Sequence, residues 1–200
     1  MSGFAPAPDA DTAIALLAAG LASRFGGGKL DAPVAGKPLG QWAAKAAEAA
    51  GFQKRILVVG PVAPRFAQSC ESWTLAVNDA PRAGLSGSIA AAVRAASEMS
   101  ATRLVIALAD MPLMSTRHLQ AIAASETAAF TGYPGGRPGV PAAFSESLFA
   151  RLEALGADEG AAAIAGEIKH AIISPGDDLL LRDVDTPDDV AKIARILGAA

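Results

Sequence analysis

Leu17-Ala18-Ala19-Gly20-Leu21-Ala22-Ser23-Arg24-Phe25-Gly26-Gly27-Gly28-Lys29 follows directly on the apolar, strand-like run Ala13 to Leu17. The connection holds four glycines, an Arg and a Lys. Glycine adopts positive φ without strain and lets a backbone approach a ligand closely, so successive N–H groups can converge on one concavity. Arg24 adds a planar fork of donors and Lys29 a point charge. The stretch reads as a cradle for a polyphosphate. Taken alone, it reads equally well as a glycine-rich loop with two solvated cations.

Two familiar phosphate loops do not fit. A Walker A loop needs Gly at 23 and Ser or Thr at 30, where Ser23 and Leu30 stand. The dinucleotide fingerprint started by Gly26 and Gly28 meets Asp31 in place of its third Gly.

Outward from this loop, apolar β-rich runs alternate with Ala-rich stretches of helical period. That alternation predicts an α/β fold with a doubly wound, mostly parallel, Rossmann-like sheet and helices on both faces, in three α/β/α layers. Strands are expected at 13–17, 55–59, 74–77, 104–109, 128–131 and 171–173. Helices are expected at 39–50, 86–99, 116–124, 147–154, 160–168 and 187–197. Gly51 fits a C-cap, and Thr186 before Pro187 fits an N-cap with proline in the first turn. The segment Gly132 to Pro141 is rich in Gly and Pro, and it reads as one wall of a ligand site or as a tight turn between two strands. No repeat or linker divides the chain. We expect a disordered tail over 1–12 and a single domain over 13–200.

Composition narrows the functions. Of the 200 residues, 52% are hydrophobic and 5% aromatic, which favours close-packed helices on a sheet over an aromatic-lined groove. Seventeen basic against twenty acidic residues give a net charge of −3, which argues against nucleic acid as a partner. One Cys and two His cannot build a Cys/His metal cluster, and Cys70 has no intrachain disulfide partner. No apolar run approaches the roughly 20 residues that span a bilayer, and the N-terminal dozen residues lack the cationic start of a secretory signal. We therefore expect a cytoplasmic protein with no membrane partner.

Two acidic sets carry chemistry. Leu104 to Ala109 is an apolar strand ending in Asp110, and in doubly wound sheets ligands gather at the carboxyl ends of strands. A carboxylate there suits Mg²⁺ bridging phosphates, whereas the structural alternative is a cap for the helix that begins near Ser115. Asp183 and Asp185 alternate in an extended segment and so point the same way, where two acids repel unless a cation lies near. Asp188 and Asp189 fall in a first helical turn, where negative charge complements the macrodipole. His118, His170 and Cys70 read as structural.

Leu17 to Lys29, read as L-A-A-G-x-x-S-R-x-G-x-x-K, resembles the signature loop of the MobA-like nucleotidyltransferases. Gly36-Lys37-Pro38-Leu39 is similar to that family's G-K-P-L, Ala109 to Pro112 to its metal-binding D-M-P, and Asp183 to Pro187 to its late D-[IV]-D-T-P. Asn78 with Gly84-Leu85-Ser86-Gly87-Ser88 resembles the segment facing base and ribose. Gly136-Arg137-x-Gly139-x-Pro141 and Asp158-Glu159-Gly160-Ala161 resemble the branch that acts on molybdopterin with CTP. Val140 and Ala157 depart from that branch, which usually has His or Asn and Gly there. The resemblance runs from about Ala13 to Asp189.

It implies a nucleotide-diphospho-sugar transferase-like fold and a transfer of CMP from CTP to the terminal phosphate of molybdopterin, with release of pyrophosphate. Leu17, Ala18, Ala19, Gly20, Ser23, Arg24, Gly26, Lys29, Asn78, Gly84 and Ser86 would bind the nucleotide, with Arg24, Lys29 and Asp110 catalytic. Gly136, Arg137, Gly139 and Asp158 would face the acceptor. Asp110, Asp185 and Asp183 would hold Mg²⁺, or Mn²⁺ in its place. A molybdoenzyme or its chaperone is the implied recipient of the product. GTP as the donor, a methylerythritol or sugar phosphate as the acceptor, and a non-catalytic nucleotide-binding module are the competing readings.

Overall fold

A computed structural model of the protein describes residues 6–20, 25–79, 84–157 and 159–198. The strands are β1 (Thr12–Leu17), β2 (Pro33–Val34), β3 (Lys37–Pro38), β4 (Lys54–Val59), β5 (Thr74–Val77), β6 (Arg103–Leu108), β7 (Ala128–Tyr133), β8 (Arg137–Ser145) and β9 (His170–Ile173). The helices are α1 (Leu39–Ala49), α2 (Leu85–Glu98), α3 (Thr116–Ala123), α4 (Phe149–Glu153) and α5 (Pro187–Gly198). Seven strands form one sheet in the order β5-β4-β1-β6-β8-β7-β9, and β2 with β3 makes a small antiparallel ribbon.

β1 is buried along its whole length because both sides of the sheet are covered. Ile14 and Leu16 enter the core under α1 and α3, while Ala13, Ala15 and Leu17 enter the core under α2 and α4. β4 and β6 flank β1 in parallel and divide their side chains in the same way. The chain first winds outward from β1 to β4 and β5, then crosses through α2 to β6 on the other side of β1. This reversal is the topological switch point, and it opens a crevice beyond the carboxyl ends of β1 and β6. The result is the three-layer, mostly parallel sheet anticipated from the alternation of apolar runs.

Local signals settle several boundaries. Gly51, at φ 91°, closes α1 in the left-handed conformation. Ser115 caps α3 by accepting from the His118 N–H at 3.1 Å, so Asp110 is not the cap of that helix. At the start of α5, the Thr186 N–H donates to Asp189 Oδ2 at 3.0 Å and the Asp189 N–H donates to Thr186 Oγ1 at 3.4 Å, which is a capping box. The Thr186 contacts hold the Asp189 carboxyl down to a pKa of about 2.

The main difference from the sequence reading is β8. Segment 132–141 is a tight turn between two strands: β7 extends to Tyr133, the Gly136 N–H closes the turn on Tyr133 O at 3.0 Å, and β8 leaves at Arg137. Within the seven-stranded sheet β8 runs antiparallel to its neighbours β6 and β7, and its register slips where Val140 and Pro141 stand opposite the Phe130–Thr131 step. Proline is accommodated inside a sheet at such a bulge. Stretches 147–154 and 160–168 are also less regular than expected: the first is a 3-10 turn leading into α4, and the second is 3-10 over Ala161–Glu167.

Candidate active site

Lys29 opens a 3-10 turn, Lys29–Asp31, which Gly28 enters with φ 63°. Its ammonium lies 2.6 Å from Asp110 Oδ2 and 3.4 Å from Asp185 Oδ1. Asp110 sits just past β6, and Asp185 just before α5. The side chains of Lys29 and Asp110 are 11% and 21% exposed and that of Asp185 46%, so the contact runs from the interior out to the rim. Burial alone would lower the Lys29 pKa. The charges and hydrogen bonds of Asp110 and then Asp185 outweigh it and hold the ammonium above its ordinary value. Asp183 keeps an exposed side chain, yet partial desolvation, followed by the charges of Asp185 and Asp110, raises its carboxyl above the usual range.

Among the described residues no group of three or more His, Cys, Asp or Glu is arranged to hold a metal ion, so Asp110, Asp183 and Asp185 form no three-carboxylate cage. Mg²⁺ at a phosphate site needs less: one or two carboxylates, with water and substrate phosphates completing an octahedron of oxygens. Asp110 Oδ1 meets this demand, because it is buried with no hydrogen-bond partner while Oδ2 engages Lys29. A buried carboxylate oxygen left unpaired is costly, and a hard cation would satisfy it. The donor set of Asp110 and Asp185 fits Mg²⁺ or Mn²⁺.

Lys29 and Asp110 share a cleft of about 930 Å³ with Leu17, Ala18, Ala19, Gly20 and Gly84. The N–H of Ala18 is bound to Val58 O at 2.7 Å, so this amide is already engaged within the sheet. Gly84, at φ 76° and ψ −149°, starts α2 with no side-chain cap and lines the cleft with Leu85 and Ser88 of the first turn. Asn78 is pinned by its N–H to Val59 O at 2.8 Å and donates through Nδ2 to Ser88 Oγ at 3.0 Å. Ser86 is buried in the same first turn. Gly26 turns the backbone at φ 82° and is not part of the cleft wall.

The expected acceptor residues lie on the β7–β8 hairpin: Gly136 in its turn, Arg137 exposed at the start of β8, and Gly139 further along. The Tyr133 ring lies where a Cβ on Gly139 would be, and its hydroxyl donates to Val140 O at 2.8 Å. Burial, then the charges of Asp183 and Asp110, pushes Tyr133 up to about 12, which places this hairpin within electrostatic reach of the acids. Ser23, Arg24 and Asp158 lie outside the described residues. His118 is buried against Thr131 Oγ1 at 2.7 Å, and Cys70 is buried in the core beside α1.

The structure adds a wall that the sequence reading did not include, the loop Gly60 to Arg65 after β4, together with Asp31. The strand-end rule that led to Asp110 applies equally to the end of β4 and is the signal that points there. No helix of the described residues is long and apolar enough to cross a membrane.

The family model described as the MobA-like NTP transferase domain matches residues 14–172. The purine catabolism protein PucB of Bacillus subtilis (strain 168) is 31% identical over 197 residues, covering 91% of this chain and 95% of that protein. The crystal structure of a Mycobacterium tuberculosis rv0371c homologue from Mycobacterium sp. strain JC1 superposes with a TM-score of 0.76 at 25% identity, covering 94% of this chain and 98% of that one. A manganese complex of Rv0371C from Mycobacterium tuberculosis H37Rv shares the fold with a TM-score of 0.66 at 22% identity, covering 92% and 97% of the two chains.

Proposed function

Because this chain belongs to the MobA-like NTP transferase family, we propose that it transfers CMP from CTP to the terminal phosphate of molybdopterin. The oxygen of that phosphate attacks the α-phosphorus, a new P–O bond forms, and the α–β bridging oxygen leaves with its electron pair as pyrophosphate. A phosphate monoester is mostly ionised at neutral pH, so the nucleophile needs no general base. Catalysis is then positioning and charge neutralisation.

The observation that carries this reading is the meeting of Lys29, Asp110 and Asp185 in the crevice at the ends of β1 and β6. Lys29 faces the β- and γ-phosphates, a role Arg24 shares by resemblance alone. Ala19 and Gly20 line the cleft immediately beyond β1, where backbone amides approach the phosphates. Gly84 and Leu85 at the start of α2 line the same space, where the positive end of the helix dipole favours negative charge. Asp110 and Asp185 would hold the divalent ion, Mg²⁺ or Mn²⁺, which when bound supplies neutralisation of charge on the α-phosphate. The β7–β8 hairpin with Gly136, Arg137 and Gly139 forms the acceptor side.

The test is pyrophosphate release from CTP, GTP, ATP and UTP with Mg²⁺ and molybdopterin. CTP is expected to turn over at least about tenfold faster than the others. Preference for GTP converts the assignment to guanylyl transfer. Release with a methylerythritol or sugar phosphate but not with molybdopterin moves the acceptor. No release from any nucleotide refutes the reading.

A further inference from the structure

Arg65–Ser69 is a 3-10 turn whose first internal bond is the Ala67 N–H to Pro64 O at 3.1 Å. The N–H groups of Arg65 and Phe66 therefore have no partner within the turn. Both donate to one side chain of the Lys29–Asp31 turn: Arg65 N–H to Asp31 Oδ2 at 2.9 Å and Phe66 N–H to Asp31 Oδ1 at 2.8 Å. The Asp31 side chain is 14% exposed, and the Arg65 guanidinium, 86% exposed, adds a weak ion pair with Nε at 3.8 Å.

Asp31 belongs to the turn that begins with Lys29, and its own N–H bonds Gly28 O at 3.0 Å. One carboxylate thus spans from the lysine turn to the loop Gly60 to Arg65, and both segments line the cleft. Beyond Phe66, whose ring is buried under Gly40, the loop is held by the core. Toward Val62, 89% exposed, it is open to solvent. The Lys29 ammonium has its own anchors in Asp110 and Asp185. Loosening Asp31 therefore falls on the loop and not on the lysine.

We propose that Asp31 is a positioning residue that sets the width of the nucleotide cleft by clasping the Arg65–Phe66 backbone. The proposal rests on the nucleotidyl-transfer reading for what the cleft binds, and the clasp itself is tested apart from it. Asp31→Ala is expected to raise KM for the donor nucleotide about fivefold or more, with kcat within about twofold. Asp31→Asn keeps one acceptor oxygen but sets an NH2 donor against the other N–H, so it should recover at most part of that loss. In the protein without nucleotide, amide exchange at Arg65 and Phe66 should accelerate at least about tenfold in Asp31→Ala, while the β1 and β6 amides keep their protection. Unchanged exchange at 65 and 66 overturns the clasp whatever the enzyme does. An unchanged KM, or an equal fall in kcat and kcat/KM, overturns its role in positioning. A wild type that releases no pyrophosphate from any nucleotide refutes the transfer reading, and exchange still judges the clasp.

Discussion

The N–H of Val184 donates to the carbonyl oxygen of Asp110 at 3.1 Å. This bond ties the segment before α5 to the end of β6, and it orders the acids on either side of Val184. The Val184 side chain is fully buried with Val34, Leu39 and Ile193, so its neighbours in the extended chain face the other way. Asp185 reaches Lys29, while Asp183 stays at the exposed rim. Asp110 receives a partner segment through its backbone while its carboxylate faces the cleft.

Replacing Asp110 by Asn keeps the shape and removes the charge that Oδ1 and Oδ2 share. We expect kcat/KM to fall about a hundredfold, on the order of 3 kcal/mol in the transition state. Turnover is read by pyrophosphate release, with circular dichroism as the check on folding. Near-complete turnover in Asp110→Asn would remove Asp110 from the reaction.

Lys29→Ala takes the ammonium away from Asp110, which stays partly buried beside Asp185. Stability at neutral pH should fall by about 1–3 kcal/mol in urea titrations, because a buried carboxylate loses its partner. Since the folded pKa of Lys29 is raised, its stabilisation is complete below the ordinary value of 10.5 and is lost as pH climbs through the higher folded value. The gap between wild type and Lys29→Ala should therefore stay constant from pH 7 to about 10 and narrow above that. A gap that does not respond to alkaline pH contradicts the ion pair.

His118 gives a second pH signature, far from the cleft chemistry. Desolvation lowers its pKa from 6.5 to about 4, so the folded protein keeps the imidazole neutral while the unfolded chain protonates it. The stability it protects is present above pH 6.5 and is lost as pH falls toward 4, about 3 kcal/mol over that window. His118→Gln, which can still donate to Thr131 Oγ1, should flatten this part of the stability curve. An identical acid slope in wild type and variant would count against the buried neutral form.

The centre of the sheet is legible in the sequence because β1, β4 and β6 are covered on both faces, and an unbroken apolar run is what such burial demands. Asp110 is legible for a related reason, since it stands just beyond a strand end that the topology turns toward the crevice, and Lys29 is legible as the cation that closes the glycine-rich connection after β1. β8 is hidden because Pro138, Gly139 and Pro141 carry the composition of a loop, and only the bulge opposite Phe130–Thr131 makes room for them in a strand. Asp31 is hidden more deeply. Its partners are two backbone N–H groups from a distant loop, and backbone partners leave no mark in residue types.

Gly139 is where the β7–β8 hairpin is most sensitive to a single methyl group. A Cβ there would overlap the Tyr133 ring, whose hydroxyl is held by Val140 O at 2.8 Å, so the ring cannot yield without giving up that bond. Gly139→Ala should cost about 1–3 kcal/mol of stability by overpacking. In a Tyr133→Ala background the same substitution should be nearly neutral, because the clash has been removed, and this non-additivity is the diagnostic. Under the transfer reading, Gly139→Ala should also raise KM for the acceptor while KM for the nucleotide holds, since the hairpin lies apart from the wall formed by Ala19, Gly20 and Gly84. Equal costs in both backgrounds would show that the ring is not the reason for glycine. A rise in nucleotide KM instead would place the hairpin on the donor side of the cleft.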